Sequence, residues 1–179
     1  MPHMTNDHTA APERVWPAFT TGERQALEQW LDYHRGTLAV KCSGLTDEQL
    51  RTASVPPSDL NLLGLVRHMA EVERGWFRKV LGGEEAPWLY ATEEDNDRDI
   101  HTAEGDTYEE AYATWQAEIA HARELAAKHS LDDLGAGPHH RTGELINLRW
   151  IYLHMIEEYA RHNGHADLIR ERVDGATGD

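Results

Sequence analysis

The segment LNLLGLVRHMAEVERGWFRKVL, Leu60 to Leu81, decides the fold because its apolar side chains recur every three to four residues. This period places them on one face of an α-helix, and the two glycines that follow Leu81 favour its end there. The apolar face holds Leu62, Leu65, Val66, Met69, Val72, Trp76, Phe77 and Val80. A helix with one apolar face needs partners that cover it, so the segment predicts a helical core.

Two capping patterns predict further helices on either side of this segment. Thr20 with Glu23 forms one, opening a helix that closes near Gly44, and Asp106 with Glu109 forms the other. Apolar residues at helical spacing follow both patterns. The stretch LTDEQL favours a short helical turn, and the prolines of SVPPSD separate it from the next helix.

The last helix is predicted from about Asn147 to Val173. The long connection EEAPWLYATEEDNDRDIHTAEGD has no hydrophobic period, and its acidic run, Glu93 to Asp99, is predicted to be a solvated loop. Nothing in the sequence reads as a strand. We therefore predict an all-α, four-helix bundle over residues 20–173, with a disordered segment over residues 1–19 and a frayed tail over residues 174–179.

The composition favours one soluble domain with an acidic surface. The 179 residues hold 17 Lys and Arg against 32 Asp and Glu, a net charge of -15, so we expect no binding to nucleic acid or to an anionic membrane surface. No membrane-spanning or signal-peptide pattern is visible, which predicts a cytoplasmic location. The single cysteine, Cys42, lies in an apolar stripe, which favours a core residue over a nucleophile or a ligand.

Polar groups lie on the buried side of the last helix. At about 100° per residue, His162 falls within the apolar stripe and Glu158 falls at its edge, one turn earlier and facing the same way. His154 and His165 flank them. An unpaired charge in a bundle interior costs several kcal/mol, so these groups need partners.

The helix of Leu60 to Leu81 offers one matching group, His68, on its apolar face. Two imidazoles and one carboxylate are the ligands of catalytic zinc sites that keep a fourth position open. We therefore predict that His68, Glu158 and His162 bind a divalent metal. Spacing alone leaves open a core histidine without metal and an ion pair between Glu158 and Arg161; a di-iron centre would need paired E-x-x-H motifs, which the sequence lacks.

Two of these segments carry a family resemblance. LNLLGLVRHMAEVERGWFRKVL and, much later, NLRWIYLHMIEEYARHNGHADLIRE resemble the DinB-like superfamily, in particular its mini-circle-protein branch (DUF664) with mycothiol-dependent transferase-like members. The likeness extends from the first helix to Val173. It implies a DinB-like four-helix bundle with a long crossover connection, often a homodimer, and a divalent metal, zinc or nickel in most cases.

The resemblance also maps the ligands. Many DinB-like proteins use one histidine from the second helix and an H-x3-H pair from the fourth, the last before an RGQ. Here HNGH takes that place, so the last ligand maps to His162 and its partner to Glu158, as in the mycothiol-dependent maleylpyruvate isomerases of the same superfamily. Those isomerases carry a C-terminal domain without a counterpart in this sequence, so we expect the broader reaction class and not isomerisation.

The resemblance implies a metal-dependent transferase that uses a low-molecular-weight thiol, such as mycothiol or bacillithiol, on a small electrophile. His154 and His165 are candidates to relay a proton or to orient Glu158, and Trp88 and Tyr90 are candidates to contact the sugar of mycothiol. Two alternatives stay open: a non-catalytic metal-binding bundle with a stress-response or interaction role, and a metal-dependent hydrolase.

Overall fold

The computed structural model of the protein describes residues 13–178 and has an all-α fold, as predicted. Its helices are α1 (Glu23–Cys42), α2 (Asp47–Leu50), α3 (Leu62–Glu73), α4 (Tyr108–Ala126) and α5 (Leu148–Asp174), and α3 continues directly into a π-helical segment, Arg74–Leu81. Residues 13–178 form no strand; an isolated bridge joins Leu134 to Asn147. None of the described helices is long and apolar enough to cross a membrane.

The four long helices pack as a bundle, with α1 along α5 and α3 along α4. Arg149 at the start of α5 pairs with Glu23 at the start of α1, and Arg170 near the end of α5 donates to the carbonyl of Lys41, so these two helices run parallel. Residues 82–107 connect α3 to α4, which run side by side in one direction. This is the long crossover connection that the resemblance implies.

The helix ends confirm the predicted start of the last helix and correct both capping predictions. Asn147 caps α5, as its oxygen accepts from the amide of Trp150 at 2.9 Å. The N-cap of α1 is Gly22 in extended conformation, not Thr20, and no side chain caps that end. The N-cap of α4 is Thr107, one residue after the predicted Asp106.

Asp106 does not cap α4 because its carboxylate has a stronger partner. It forms an ion pair with Arg67 of α3, whose side chain is buried, and it accepts from the amide of Ala103 at 2.7 Å. A charge-assisted bond to a buried guanidinium stabilises a carboxylate more than a bond to a helix-end amide does. The crossover is therefore tied to α3 just before α4 begins.

Part of the predicted disordered segment, residues 1–12, lies outside the described residues, as does Asp179 of the predicted tail. Residues 13–19 precede α1 in the chain and pack against it. Arg14 donates to the hydroxyl of Thr37 at 3.1 Å, and the ring centroids of Trp16 and Tyr33 lie 4.9 Å apart. At the other end, the carbonyl of Gly178 accepts from Lys41 of α1.

A buried polar network joins the four long helices at mid-height. The carboxylate of Glu73 is fully buried and accepts two bonds of 2.8 Å from Arg35 and one of 2.7 Å from the hydroxyl of Tyr159. The indole of Trp115 in turn donates to that hydroxyl at 2.8 Å. Burial, with the carboxylate of Glu73 close by, raises the pKa of Tyr159, so the hydroxyl stays a hydrogen-bond donor. The network fixes how the helices face each other.

The crossover approaches α3 closely at one point, and this contact corrects the prediction of a solvated acidic run. A Cβ on Gly64 would lie 2.7 Å from the carbonyl oxygen of Ile100, so the absence of a side chain lets the two backbones meet. Asp99, next in the chain, is thereby held against α3 and is only 7% exposed. The run includes solvent-exposed residues as well, but it ends as one wall of the site described below.

Candidate metal centre

His68, Glu158 and His162 lie together between α3 and α5, as predicted. One ligand atom from each residue lies within 4.8 Å of the other two. Glu158 and His162 are four residues apart on α5 and therefore face the same way, with Nε2 of His162 at 3.5 Å from a Glu158 oxygen. The ring centroids of His68 and His162 are 4.8 Å apart, with the ring planes at 66°. Three donor groups thus converge from two helices.

Asp99 from the crossover orients His68. Its Oδ2 lies 2.7 Å from Nδ1 of the imidazole, and its Oδ1 accepts from the amide of Ile100 at 3.0 Å. A carboxylate oxygen accepts, so Nδ1 carries the hydrogen and the lone pair of His68 is on Nε2. A carboxylate that fixes the tautomer of a histidine in this way is the usual support of a metal-ligating imidazole.

The two flanking histidines each contact one member of the cluster. Nε2 of His154 lies 3.3 Å from Glu158, and Nδ1 of His165 lies 3.3 Å from Nδ1 of His162. Hydrogen bonds from His154 and then from His162 hold the pKa of Glu158 well below its ordinary value, so its carboxylate is ionised at neutral pH. Burial, with His162 close by, lowers the pKa of His165, which favours its neutral form.

The donor set is of a kind that a divalent ion accepts, and one metal-free alternative is removed. Arg161 pairs with Glu157 and not with Glu158, so the predicted alternative of an ion pair between Glu158 and Arg161 is wrong. His154, Glu157 and Glu158 form a second group of potential ligands. Glu157 is exposed and already ion-paired, which makes this second group the weaker one. The group with His68 combines two imidazoles, an ionised carboxylate and the support of Asp99.

Cys42 is a core residue, as predicted. Its side chain is fully buried, and burial raises the pKa of its thiol to about 12. At neutral pH the group is therefore a thiol and not a thiolate, and it offers neither a nucleophile nor a metal ligand.

Trp88 and Tyr90 lie on the crossover, Trp88 against a cation of the π-helical segment and Tyr90 against a cation of α3. Nζ of Lys79 is 3.6 Å from the ring centroid of Trp88, and the guanidinium of Arg67 is 4.4 Å from that of Tyr90. Glu71 holds the segment in place by accepting from the amide of Tyr90 at 2.7 Å. Trp88 is exposed and Tyr90 is half-buried, so Trp88 offers more free ring surface.

Two features of this region were not predicted from the sequence. Asp99 lies in an acidic run that has the composition of a solvated loop, and the one local signal of its burial is the apolar Ile100 beside it. A group of rings from Trp76, His139, Trp150 and His154 lies next to the cluster of His68, Glu158 and His162.

The fold and the cluster define a helical bundle of the DinB-like class. The sequence profile of the mycothiol-S-transferase family matches residues 26–175, which include all of the bundle except the first residues of α1. The chain therefore belongs to the mycothiol-S-transferase family, a member of the DinB-like superfamily. A comparison with curated proteins found no match.

Proposed function

We propose that the protein is a metal-dependent S-transferase that joins mycothiol, or a closely related low-molecular-weight thiol, to a small electrophile. The observation that carries this proposal is the convergence of His68, Glu158 and His162 in a chain of the mycothiol-S-transferase family. Zinc is the first choice of ion, because two imidazoles and a carboxylate form its usual catalytic set. Nickel, which also accepts imidazole ligands, is the second.

Each residue of the site has a task in this reaction. His68, Glu158 and His162 would hold a divalent ion, whose positive charge would keep a thiol deprotonated at neutral pH. Asp99 fixes the orientation of His68, and the negative charge of Glu158 offsets part of the charge of the ion, which keeps the sulfur electron-rich. The sulfur forms a bond with the electrophilic carbon, and the leaving group departs with its electron pair. His154, beside Glu158, is placed to hold the proton that the thiol gives up.

An external thiol is needed because the chain offers no reactive one. Its single cysteine is buried, carries a raised pKa and is no member of the His and Glu cluster. The polar sugar of mycothiol needs a wetter surface than the bundle interior, and the crossover beside His68 supplies it. We assign Trp88 to this surface, because exposed indole rings pack well on sugars while their polar edges stay in water. Tyr90 is its half-buried neighbour.

Metal content and turnover of matched variants test the proposal. We expect close to one ion per chain in the purified protein and loss of both ion and thiol conjugation in His162→Ala and Glu158→Gln. His34→Ala is the matched control and should retain both the ion and the activity. His34 is another partly buried histidine; it lies on α1, and its carbonyl accepts from Asn163 of α5. Full metal content in both site variants would refute the proposed ligands.

The same preparations separate the two competing functions. A protein that binds the ion but conjugates no thiol would be a non-catalytic metal-binding bundle. A protein that hydrolyses esters or amides without thiol, and loses that activity in His162→Ala, would be a metal-dependent hydrolase. Either result would refute the transferase.

A further inference from the structure

The surface beside His68, Glu158 and His162 is formed by stacked aromatic rings. The indole of Trp150 stacks on the imidazole of His154, with ring centroids 5.0 Å apart and planes at 18°. Trp76 contacts the edge of His154 at 4.4 Å and stacks on His139 at 5.8 Å and 19°. We name these four residues, Trp76, His139, Trp150 and His154, the aromatic cluster. They come from the π-helical segment, the loop before α5, and α5 itself.

The aromatic cluster is continuous with the site of the proposed reaction. His154 belongs to both, because one edge of its ring contacts Glu158 at 3.3 Å while its face lies on Trp150. On α5, Trp150, His154, Glu158 and His162 recur every four residues and so follow one side of the helix. His68 on α3 and Trp76 on the π-helical segment that continues it are about two turns apart, and α3 runs antiparallel to α5. Along the bundle axis, His68, Glu158 and His162 therefore meet at one level and the aromatic cluster lies at the next.

The aromatic cluster has free surface and space beside it. Trp150 is 44% exposed although it stacks on His154. A recess of about 680 Å³ opens next to it, lined by His139, Trp150 and the apolar side chains of Leu134, Leu145 and Ile146 among others. This volume is in the range of small-molecule sites. Apolar side chains supply most of its surface, and Thr142, Glu144 and Asn147 add polar groups.

We propose that the aromatic cluster and its recess bind the electrophile and select one that carries a flat, electron-poor aromatic ring; this rests on the proposed transferase function. The faces of indole rings carry negative charge density, which attracts the electron-poor ring of an activated aromatic substrate. The net charge of -15 disfavours anionic electrophiles. With 1-chloro-2,4-dinitrobenzene, the sulfur would form a bond to the ring carbon, the carbon–chlorine bond would break, chloride would leave with the electron pair, and the thiol proton would pass to solvent.

The test compares a flat with a compact electrophile. We expect Trp150→Leu and Trp76→Leu each to lower kcat/KM for 1-chloro-2,4-dinitrobenzene with mycothiol by about fivefold or more, since stacking on an exposed ring contributes on the order of a tenfold gain in affinity. With iodoacetamide as the electrophile, the loss in kcat/KM should be severalfold smaller, because the small aliphatic group needs no ring to stack on and only effects transmitted through His154 remain. Trp30→Leu, a partly exposed indole on α1, should leave both values unchanged. Equal losses for both electrophiles would overturn the proposed selection.

A binding measurement keeps this inference separate from the reaction. In ¹H–¹⁵N spectra of the whole chain, the indole signals of Trp76 and Trp150 should shift when 2,4-dinitroaniline, which cannot be conjugated, is added, and that of Trp30 should not. Shifts in a protein without turnover would support the aromatic site and refute the transferase. Turnover without shifts, or shifts at Trp30 of the same size, would refute the aromatic site alone.

Discussion

Replacing Asp99 by Asn should weaken the proposed metal site without unfolding the bundle. Asp99 is buried, and its Oδ2 lies 2.7 Å from Nδ1 of His68, so it fixes the imidazole and makes its other nitrogen a better donor. Asn has nearly the same shape and can still accept from the amide of Ile100, but it carries no charge. Loss of such a support costs about 10- to 100-fold in metal affinity, which corresponds to roughly 1.4–2.7 kcal/mol.

Competition with a chromophoric zinc chelator at fixed pH would measure this loss. Asp95→Asn is the matched control, because Asp95 lies in the same loop and also pairs with a histidine, His101, which is exposed and is not one of the three predicted ligands. We expect the control to bind zinc within about twofold of the unchanged protein. Unchanged affinity in Asp99→Asn would refute the assigned role, and equal losses in both variants would show that loop order matters and not the contact with His68.

Three further changes probe the fold around the site. Glu73→Ala should destabilise the bundle by about 3–5 kcal/mol in urea unfolding, because it removes the buried carboxylate that pairs with the guanidinium of Arg35 and leaves only the more exposed Asp32. Cys42→Ser should leave thiol conjugation unchanged, and Cys42 should react with a disulfide reagent at pH 8 only after unfolding, since a pKa raised to about 12 leaves almost no thiolate at that pH. Gly64→Ala should weaken zinc binding by pushing the carbonyl of Ile100 off α3.

Each of these changes has a control and a contradicting result. Glu157→Ala breaks an exposed ion pair and should lower the free energy of unfolding by less than about 1 kcal/mol. An equally small effect of Glu73→Ala would show that the buried network does not stabilise the bundle. Loss of turnover in a folded Cys42→Ser protein would make that cysteine part of the reaction. Gly164→Ala, on an open stretch of α5, should leave zinc affinity unchanged. Zinc affinity as strong in Gly64→Ala as in Gly164→Ala would exclude the close backbone approach as a support of the site.

The sequence was sufficient for the positions of the long helices and for the three converging donors, but not for the π-helical segment Arg74–Leu81, which it predicted as α-helix. The period of apolar residues places His162 and Glu158 on the inner side of α5, and only His68 offers a matching group on the apolar face of α3. These are properties of single helices, which depend on local geometry. The N-cap of α4 was misassigned by one residue because Asp106 and Thr107 are both good caps, and the choice depends on Arg67, a residue distant in sequence.

The two features that the sequence did not predict, the burial of Asp99 and the aromatic cluster, both involve loop residues. Asp99 and the solvated acidic residues before it have the same composition, and only the approach of the crossover to Gly64 separates them. The aromatic cluster joins Trp76 to His139 and Trp150 across two helices and a loop, and no spacing rule relates residues so far apart. Long-range contacts of this kind depend on how the connections pack, which periodicity does not specify.

The central claim, that a thiol reacts at an ion held by His68, Glu158 and His162, is tested most directly with cobalt. The Co²⁺ form of the protein should develop an intense near-ultraviolet sulfur-to-cobalt charge-transfer band when mycothiol is added, in the Cys42→Ser background so that the chain contributes no sulfur from cysteine. His162→Ala should show no such band. A Co²⁺ form that binds the ion at the cluster, yet whose spectrum mycothiol leaves unchanged, would contradict the account.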